Sequence, residues 1–305
     1  MSIEFCGLQL AHPIINGSGT FDAIAARRVF GEQLLEDFPF AAYVSKTITL
    51  EPRAGNPPPR LWETPAGLIN SIGLPNKGLD GYMREDLPQL AELTGGAERQ
   101  PAIPLITNVM GATAEELSRL VEACDARAEI AAVELNVSCP NVKTGLDIGA
   151  DPRQLEAVVR TVRGRTRKPL IVKLTPNTAD VSACGLAAEQ GGADAVSLIN
   201  TLRATALAPR GRFAGAGGAD GAGAQRDRWL GGGTGGLSGP AIRAVALAQV
   251  AAVAARVAIP VVGMGGVQSA AHAQELLDVG ATLVAVGTES FRDPAAGARI
   301  AQGLR

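Results

Sequence analysis

Val133-Glu134-Leu135-Asn136-Val137-Ser138-Cys139-Pro140-Asn141 is the stretch whose reading decides the fold. An apolar, β-prone run gives way to two asparagines, a serine and a cysteine, with a proline behind the thiol. Apolar body and polar tip together describe a buried parallel strand where it emerges at the carboxyl end of a barrel. The proline ends strand pairing and holds the thiol on a stiff turn. Cys139 is therefore a candidate reactive group. The competing reading is a small buried hydrophobe, which is the commoner fate of a free cysteine.

Outward from this run, Ala132–Ser138, seven further apolar runs end in polar or glycine-rich tips: Pro13–Ser18, Ala41–Thr47, Ile103–Asn108, Pro169–Leu174, Ala195–Thr201, Ile259–Met264 and Thr282–Thr288. Several are almost continuously hydrophobic, as strands covered on both faces should be. Helix-like segments of crossover length lie between most of them. Thr113-Ala-Glu-Glu116 is a capping-box start for a helix reaching about Asp125. Asp151-Pro-Arg supplies an N-cap carboxylate with proline at the first helical position, and Leu155, Val158, Val159 and Val162 mark the apolar face that follows. Asp180–Gln190 and Ala270–Val279 supply two more. Eight strands with helices between them specify a (β/α)8 TIM barrel, and 305 residues suit one such domain, 1–305, of about 250 residues plus insertions.

Two regions break the repeat and are expected above the barrel mouth as long loops. One is Glu51–Leu74, with Pro57-Pro58-Pro59 and the start of Asn70-Ser-Ile-Gly-Leu-Pro-Asn76; the other is Arg203–Gly236, dense in glycine and alanine. Composition alone predicts mobility over Gly211–Gln225.

A hydrophobic content of 46% with only 4% aromatics points to a large core of Ala, Val, Leu and Ile. The formal net charge of −2 argues against nucleic acid or an anionic membrane as a partner. Cys6, Cys124, Cys139 and Cys184 are far apart and form no C-x-x-C pair, which argues against a zinc ribbon, an iron–sulfur cluster or a disulfide scaffold. The first residues show no basic-then-apolar leader. Ala241–Ile259, the most apolar long segment, is interrupted by Arg243, Gln249 and Arg256 and reads as an amphipathic helix on a sheet. A soluble, cytoplasmic protein is expected.

In a barrel the site lies at the carboxyl ends of the strands. Those tips present Asn16 and Ser18, Lys46 and Thr47, Asn108, Asn136 and Cys139, Lys173, and Asn200 and Thr201. The last two strands end instead in Gly263-Met-Gly265-Gly266 and Gly287-Thr288, and Leu237-Ser238-Gly239-Pro240 precedes a helix start. Glycine lets backbone N–H groups approach phosphate oxygens, so three such turns point to a phosphate site; one alone would only make a tight turn. Lys46 and Lys173 sit inside otherwise apolar strands, and a buried lysine calls for an anionic partner, here a carboxylate substrate or a cofactor that becomes negative. Asn70, Asn108, Asn136, Asn141 and Asn200 suit a flat heterocycle rich in C=O and N–H. Of two histidines, His12 precedes a proline and His272 lies in an expected helix; both read as structural. That leaves the thiol as the candidate base.

Taken in order, these motifs resemble the class 1 dihydroorotate dehydrogenases, FMN-containing barrel enzymes of pyrimidine (UMP) synthesis. The resemblance rests on Asn-Val-Ser-Cys-Pro-Asn (136–141), Asn-Ser-Ile-Gly-Leu-Pro-Asn (70–76), Ser-Lys-Thr (45–47), Val-Lys-Leu (172–174), Ile-Asn-Thr (199–201), Gly-Gly-Leu-Ser-Gly-Pro-Ala-Ile (235–242), Gly-Met-Gly-Gly (263–266) and Val-Gly-Thr (286–288). The cysteine, in place of the serine of the membrane-associated class, marks class 1. Pro-Asn-Val-Lys (140–143) and the two glycine motifs resemble subtype 1B. The resemblance implies a partner subunit carrying FAD and a 2Fe–2S cluster that passes electrons to NAD, in a homodimer or heterotetramer.

It also implies roles. Cys139 as thiolate takes the C5 proton of dihydroorotate while hydride leaves C6 for N5 of FMN, giving orotate. Lys46 pairs the substrate carboxylate. Asn70, Ser71, Ile72, Gly73, Leu74, Asn136, Asn141, Asn200 and Thr201 surround the substrate. Ser18, Lys46, Thr47, Asn108, Asn136, Lys173 and Ile199 line the flavin, with Lys173 at its N1/O2 edge, and Gly239, Gly265, Gly266, Gly287 and Thr288 hold its phosphate. No metal site is implied on this chain. Two departures stand out. After Asn200-Thr201-Leu202 the family usually continues Gly-Met-x-Ile-Asp, whereas Arg203-Ala-Thr-Ala-Leu stands here; after Val-Lys it usually has paired glycines, and Thr144-Gly145-Leu146 stands here. The first bears on packing beside the substrate and on the partner-facing surface. Competing readings are a dihydropyrimidine dehydrogenase-like barrel, against which the carboxylate-pairing Lys46 argues, and a non-catalytic flavin-binding subunit. A metal-dependent aldolase barrel lacks a His/Asp/Glu cluster.

Overall fold

The computed structural model describes residues 2–31, 33, 37–95, 103–137, 148–209 and 227–304. Cys139 and Asn141 lie outside the described residues, as does Gly211–Gln225.

The chain opens with a hairpin, β1 (Ile3–Phe5) and β2 (Leu8–Leu10), turned at Cys6-Gly7, both in the left-handed region. The first barrel strand, β3 (Ile14–Asn16), leads through α1 (Ala23–Phe30) to β4 (Tyr43–Val44). An excursion forms β5 (Leu61–Thr64) and β6 (Gly67–Asn70) before α2 (Leu87–Thr94). The repeat then runs β7 (Leu105–Val109), α3 (Ala114–Asp125), β8 (Ala132–Asn136), α4 (Pro152–Arg163), β9 (Leu170–Lys173), α5 (Val181–Gln190) and β10 (Ala195–Leu198). A second excursion forms β11 (Leu202–Ala204) and β12 (Gly235–Ser238). The chain closes with α6 (Arg243–Ala254), β13 (Val261–Met264), α7 (Ala270–Asp278), β14 (Leu283–Val286) and α8 (Ala296–Gly303).

All eight expected barrel strands are present, in the order β3-β14-β13-β10-β9-β8-β7-β4 with every pairing parallel. The seam between β3 and β4 is closed by a backbone bond, Ala41 N–H to the Ile14 carbonyl at 2.9 Å, and by one side chain. The buried Asn16 amide donates to the Val44 carbonyl and accepts from the Val44 N–H, both at 2.8 Å, so it stands in for a missing rung of the ladder.

Strand parity sorts the core into two layers. Ile15, Ile106, Ala132, Ile171, Ala195, Val262, Leu283 and Ala285 fill the barrel interior, and Phe5 and Leu10 of the hairpin close it from the amino end. Tyr43, Leu105, Val133, Leu135, Leu170, Val172, Val196, Val261 and Val284 face outward onto the helices. The helix starts follow their local chemistry. Thr113 accepts from Glu116 N–H at 3.1 Å, and Asp151 accepts from Arg153 and Gln154 N–H. Asp180 and Ser269 cap α5 and α7 in the same way.

The described parts of the two irregular regions differ from expectation: they are not all loop. They zip together as an antiparallel sheet, β11-β12-β6-β5, with Leu237 opposite Ile69 and Asn70 opposite Gly236. Neither excursion has enough apolar surface alone; paired, they enclose Ile69, Ala206 and Leu230 beside an edge-on Trp62–Trp229 contact. The helix expected over Ala241–Ile259 is shorter, because a 3-10 turn, Pro240–Ile242, precedes it and it stops at Ala254. Ile259 stands before Pro260, which disfavours helical backbone there. Among the described residues no helix is long and apolar enough to cross a membrane.

Asn16→Ala would strand one donor and one acceptor of Val44 inside the seam. The expected loss is about 2–4 kcal/mol in a urea unfolding series. A variant as stable as the parent would show that closure does not depend on this amide.

Candidate active site at the carboxyl end of the barrel

Two hydrogen-bonded chains tie the strand tips together. Beyond β3, Ser18 Oγ donates to the Ser45 carbonyl at 2.8 Å and lies 3.3 Å from Thr47 Oγ1. Thr47 Oγ1 in turn accepts from Asn136 Nδ2 at 3.3 Å, so residues after β3 and β4 meet the end of β8. The second chain lies deeper. Asn108 N–H donates to Ser45 Oγ at 3.1 Å, Asn108 Nδ2 donates to Glu134 Oε2, and Ser197 Oγ donates to Glu134 Oε1 at 2.7 Å. Glu134 is only 4% exposed, two residues before Asn136 and hence on the same inward face.

Lys173 stands on β9 between these groups, in register with Asn136 on one side and Ser197 on the other. It is 5% exposed. Among the described residues nothing within hydrogen-bond or ion-pair reach partners its ammonium. A buried cation without a protein anion is costly unless a ligand supplies the charge. On β7, with β8 between it and β9, Asn108 Oδ1 is buried and accepts no hydrogen bond from the described residues.

Lys46 departs from the sequence expectation. It is exposed, not enclosed in an apolar strand, because β4 ends at Val44 and Lys46 lies past the barrel wall. Its neighbours Ser45 and Thr47 are buried, whereas the lysine is exposed at the rim.

The loop following β6 approaches from above. Asn56 holds it, donating from Nδ2 to the Ser71 carbonyl at 3.2 Å and from its backbone N–H to the Ile72 carbonyl at 3.0 Å. Gly73 and Leu74 then turn with positive φ. Asn70 Nδ2 donates to the Gly236 carbonyl at 3.3 Å. On the other side of Gly236 lies Thr201: a Cβ there would fall 1.9 Å from Thr201 Oγ1, so only glycine lets the two segments meet. Asn177, which the sequence reading did not single out, donates to the Thr201 carbonyl at 3.0 Å and accepts from Arg203 N–H at 2.8 Å. Asn200 Oδ1 accepts from Thr201 N–H at 2.9 Å, and buried Ile199 donates to the Met264 carbonyl at 2.9 Å.

The glycine turns also converge. At Gly266 (φ +70°) a Cβ would meet Arg243 Cβ at 2.8 Å and the Gly239 carbonyl at 3.0 Å, which places the turn after β13 against the start of α6. Thr288 Oγ1 donates to Ser238 Oγ at 2.8 Å and brings the turn after β14 to the same place; Gly265 and Gly287 flank it. One end of the site therefore offers bare backbone and hydroxyls, as a phosphate requires, and the other offers amides and a cation, as a flat heterocycle with N–H and C=O edges requires. These residues fit a flavin nucleotide.

Glu134 and Ser197 were missed by the sequence reading. The available signal was a carboxylate inside an apolar strand at the same parity as Asn136. The histidines are structural: His12 Nδ1 accepts from Ile14 N–H, and His272 Nδ1 accepts from Gln268 N–H, each at 3.3 Å. Among the described residues no group of three or more His, Cys, Asp or Glu could hold a metal ion.

A family model for dihydroorotate dehydrogenase matches residues 1–305. A curated relative from Desulforudis audaxviator is 42% identical over 307 residues, covering 99% of this chain and 91% of its own. One from Trichlorobacter lovleyi is 42% identical over 308 residues (100% and 92%), and one from Geobacter sulfurreducens 41% over 305 residues (99% and 90%). All three are named dihydroorotate dehydrogenase B (NAD(+)), catalytic subunit.

The described thiols are unsuited to chemistry. Burial, then the charges of Asp194 and Glu4, push Cys6 up to about 11; burial pushes Cys124 up to about 12 and also raises Cys184. Iodoacetamide at pH 8 should therefore leave Cys124 and Cys184 intact in the folded protein and modify Cys6 about 100-fold more slowly than in urea. Peptide mass mapping reads the outcome, and rapid labelling of Cys124 in the native state would contradict it.

Proposed function

The chain belongs to the dihydroorotate dehydrogenase family, and on that premise we propose that it oxidises dihydroorotate to orotate in pyrimidine (UMP) synthesis, with FMN across the barrel mouth and Cys139 as general base. The observation that carries this reading is a pair of unmet demands on inward-facing positions of β7 and β9. Among the described residues Lys173 is a buried cation with no ion-pair partner, and Asn108 Oδ1 is a buried acceptor with no donor. A flavin ring meets both.

FMN, when bound, supplies the hydride acceptor. Ser18, Thr47, Asn108, Asn136, Lys173 and Ile199 would hold its ring, and Gly239, Gly265, Gly266, Gly287 and Thr288 its phosphate. Lys173 gives that pocket a fixed positive charge, which favours any ligand that gains an electron pair there. Asn136, bound to Thr47 and in register with Lys173, sits where ring and substrate would both be read. Asn70, Asn141, Asn200 and Thr201 would orient the pyrimidine, with the 71–74 turn covering it. Cys139 follows buried Val137 by two residues in the sequence, and its thiolate would take the C5 proton. Lys46, exposed at the rim, is free to pair a substrate carboxylate; uracil and thymine carry none, which disfavours a dihydropyrimidine dehydrogenase-like activity. The relatives' designation as a catalytic subunit supports a partner bearing FAD and a 2Fe–2S cluster that delivers electrons to NAD.

Purified protein should be yellow and should bleach anaerobically with dihydroorotate but not with dihydrouracil; a colourless protein that FMN cannot reconstitute would end this reading. Cys139→Ser should bind orotate as the parent does yet reduce flavin about 10²–10⁴-fold more slowly in stopped flow. The parent's reduction rate should climb with pH up to about 8.5, as the thiol ionises. Lys46→Ala should weaken orotate binding by about 10- to 100-fold in a spectral titration, through loss of a charged hydrogen bond.

A further inference from the structure

We propose that Glu134 is a positioning residue, whose carboxylate locks the Asn108 amide with Oδ1 turned into the site, so that Asn108 accepts the single N–H of an oxidised flavin ring. The inference rests on the flavin reading above and deepens it.

A carboxylate offers only acceptors, so the face of the Asn108 amide that meets Glu134 must be its NH2. Ser197 Oγ donates to the other carboxylate oxygen at 2.7 Å, so the Glu134 group is held from both sides. Asn108 is fixed from its backbone as well, through its N–H to Ser45 Oγ. The amide oxygen is left with one outcome: it points away from Glu134, is fully buried, and has no donor among the described residues. Buried acceptors are rarely left unmet, and an N–H on the ligand is the natural partner. An oxidised isoalloxazine carries only one N–H, at N3. Glu134 itself need not touch the flavin; it decides which end of Asn108 does.

Glutamine at position 134 keeps the shape but can present NH2 to Asn108, and the amide is then free to turn over. Apo-protein is titrated with FMN and with N3-methyl-FMN by flavin fluorescence. The parent should prefer FMN by about ten-fold or more. Glu134→Gln should narrow that preference to about two-fold or less, chiefly by weakening FMN, with an unchanged thermal melt. In an Asn108→Ala background the same change should have no further effect on the preference. Ser197→Ala keeps the carboxylate and its bond to Asn108 and should keep most of the preference. If Glu134→Gln fails to fold, Glu134→Asp, which withdraws the carboxylate by one methylene, carries the same expectations. Equal weakening of both flavins, no change at all, or an effect that persists without Asn108 would overturn the role. A parent that binds FMN and N3-methyl-FMN alike would overturn it too, whereas a parent that binds neither would overturn the flavin reading beneath it.

Discussion

Closing a sheet of eight strands that are only two to five residues long leaves each strand one to three side chains for the interior. That shortage governs the molecule. Toward the amino end the inward positions must be apolar, because the hairpin residues Phe5 and Leu10 seal them from water. Toward the carboxyl end nothing apolar seals them, and the inward positions become Asn108, Glu134, Asn136, Lys173 and Ser197. Asn108, Glu134, Lys173 and Ser197 each stand one strand step above an apolar neighbour, Ile106, Ala132, Ile171 and Ala195, and Asn136 stands one step above Glu134. The same parity that packs the core therefore aims the polar groups at one another.

Most of this was legible in the sequence because it depends on strand parity and on tip composition, both local. The eight strands, the caps at Thr113, Asp151 and Asp180, and the convergence of Ser18, Thr47, Asn108, Asn136 and Lys173 all follow from patterns a few residues long. Two things were not legible. The antiparallel sheet joins residues more than 160 positions apart, and neither excursion carries a strong alternating pattern, so pairing is what creates the strands. Lys46 also misled, because an apolar run continues through Ala41–Val44 while the strand ends before the lysine.

The two lysines show how position divides similar residues. Lys173 lies within a ladder and is enclosed by neighbours on β8 and β10; Lys46 lies one step beyond a two-residue strand and is held only through its flanking residues. The first has a permanent place in the electrostatics of the interior. The second can swing, which suits a group that must meet a ligand arriving from solvent.

The sheet formed by the two excursions has a bearing on how this protein can change over time. The ladder is pinned at its base by Gly236 against Thr201, and Leu207 bridges to Arg228 at its outer limit. Leu207 and Arg228 are thus held against each other, and the entropy of closing a loop whose ends are held changes only slowly with its length. A clamp of this kind insulates Asn70, Thr201 and Gly236 from changes in chain length beyond it, so the site and the far side of the clamp are free to vary independently.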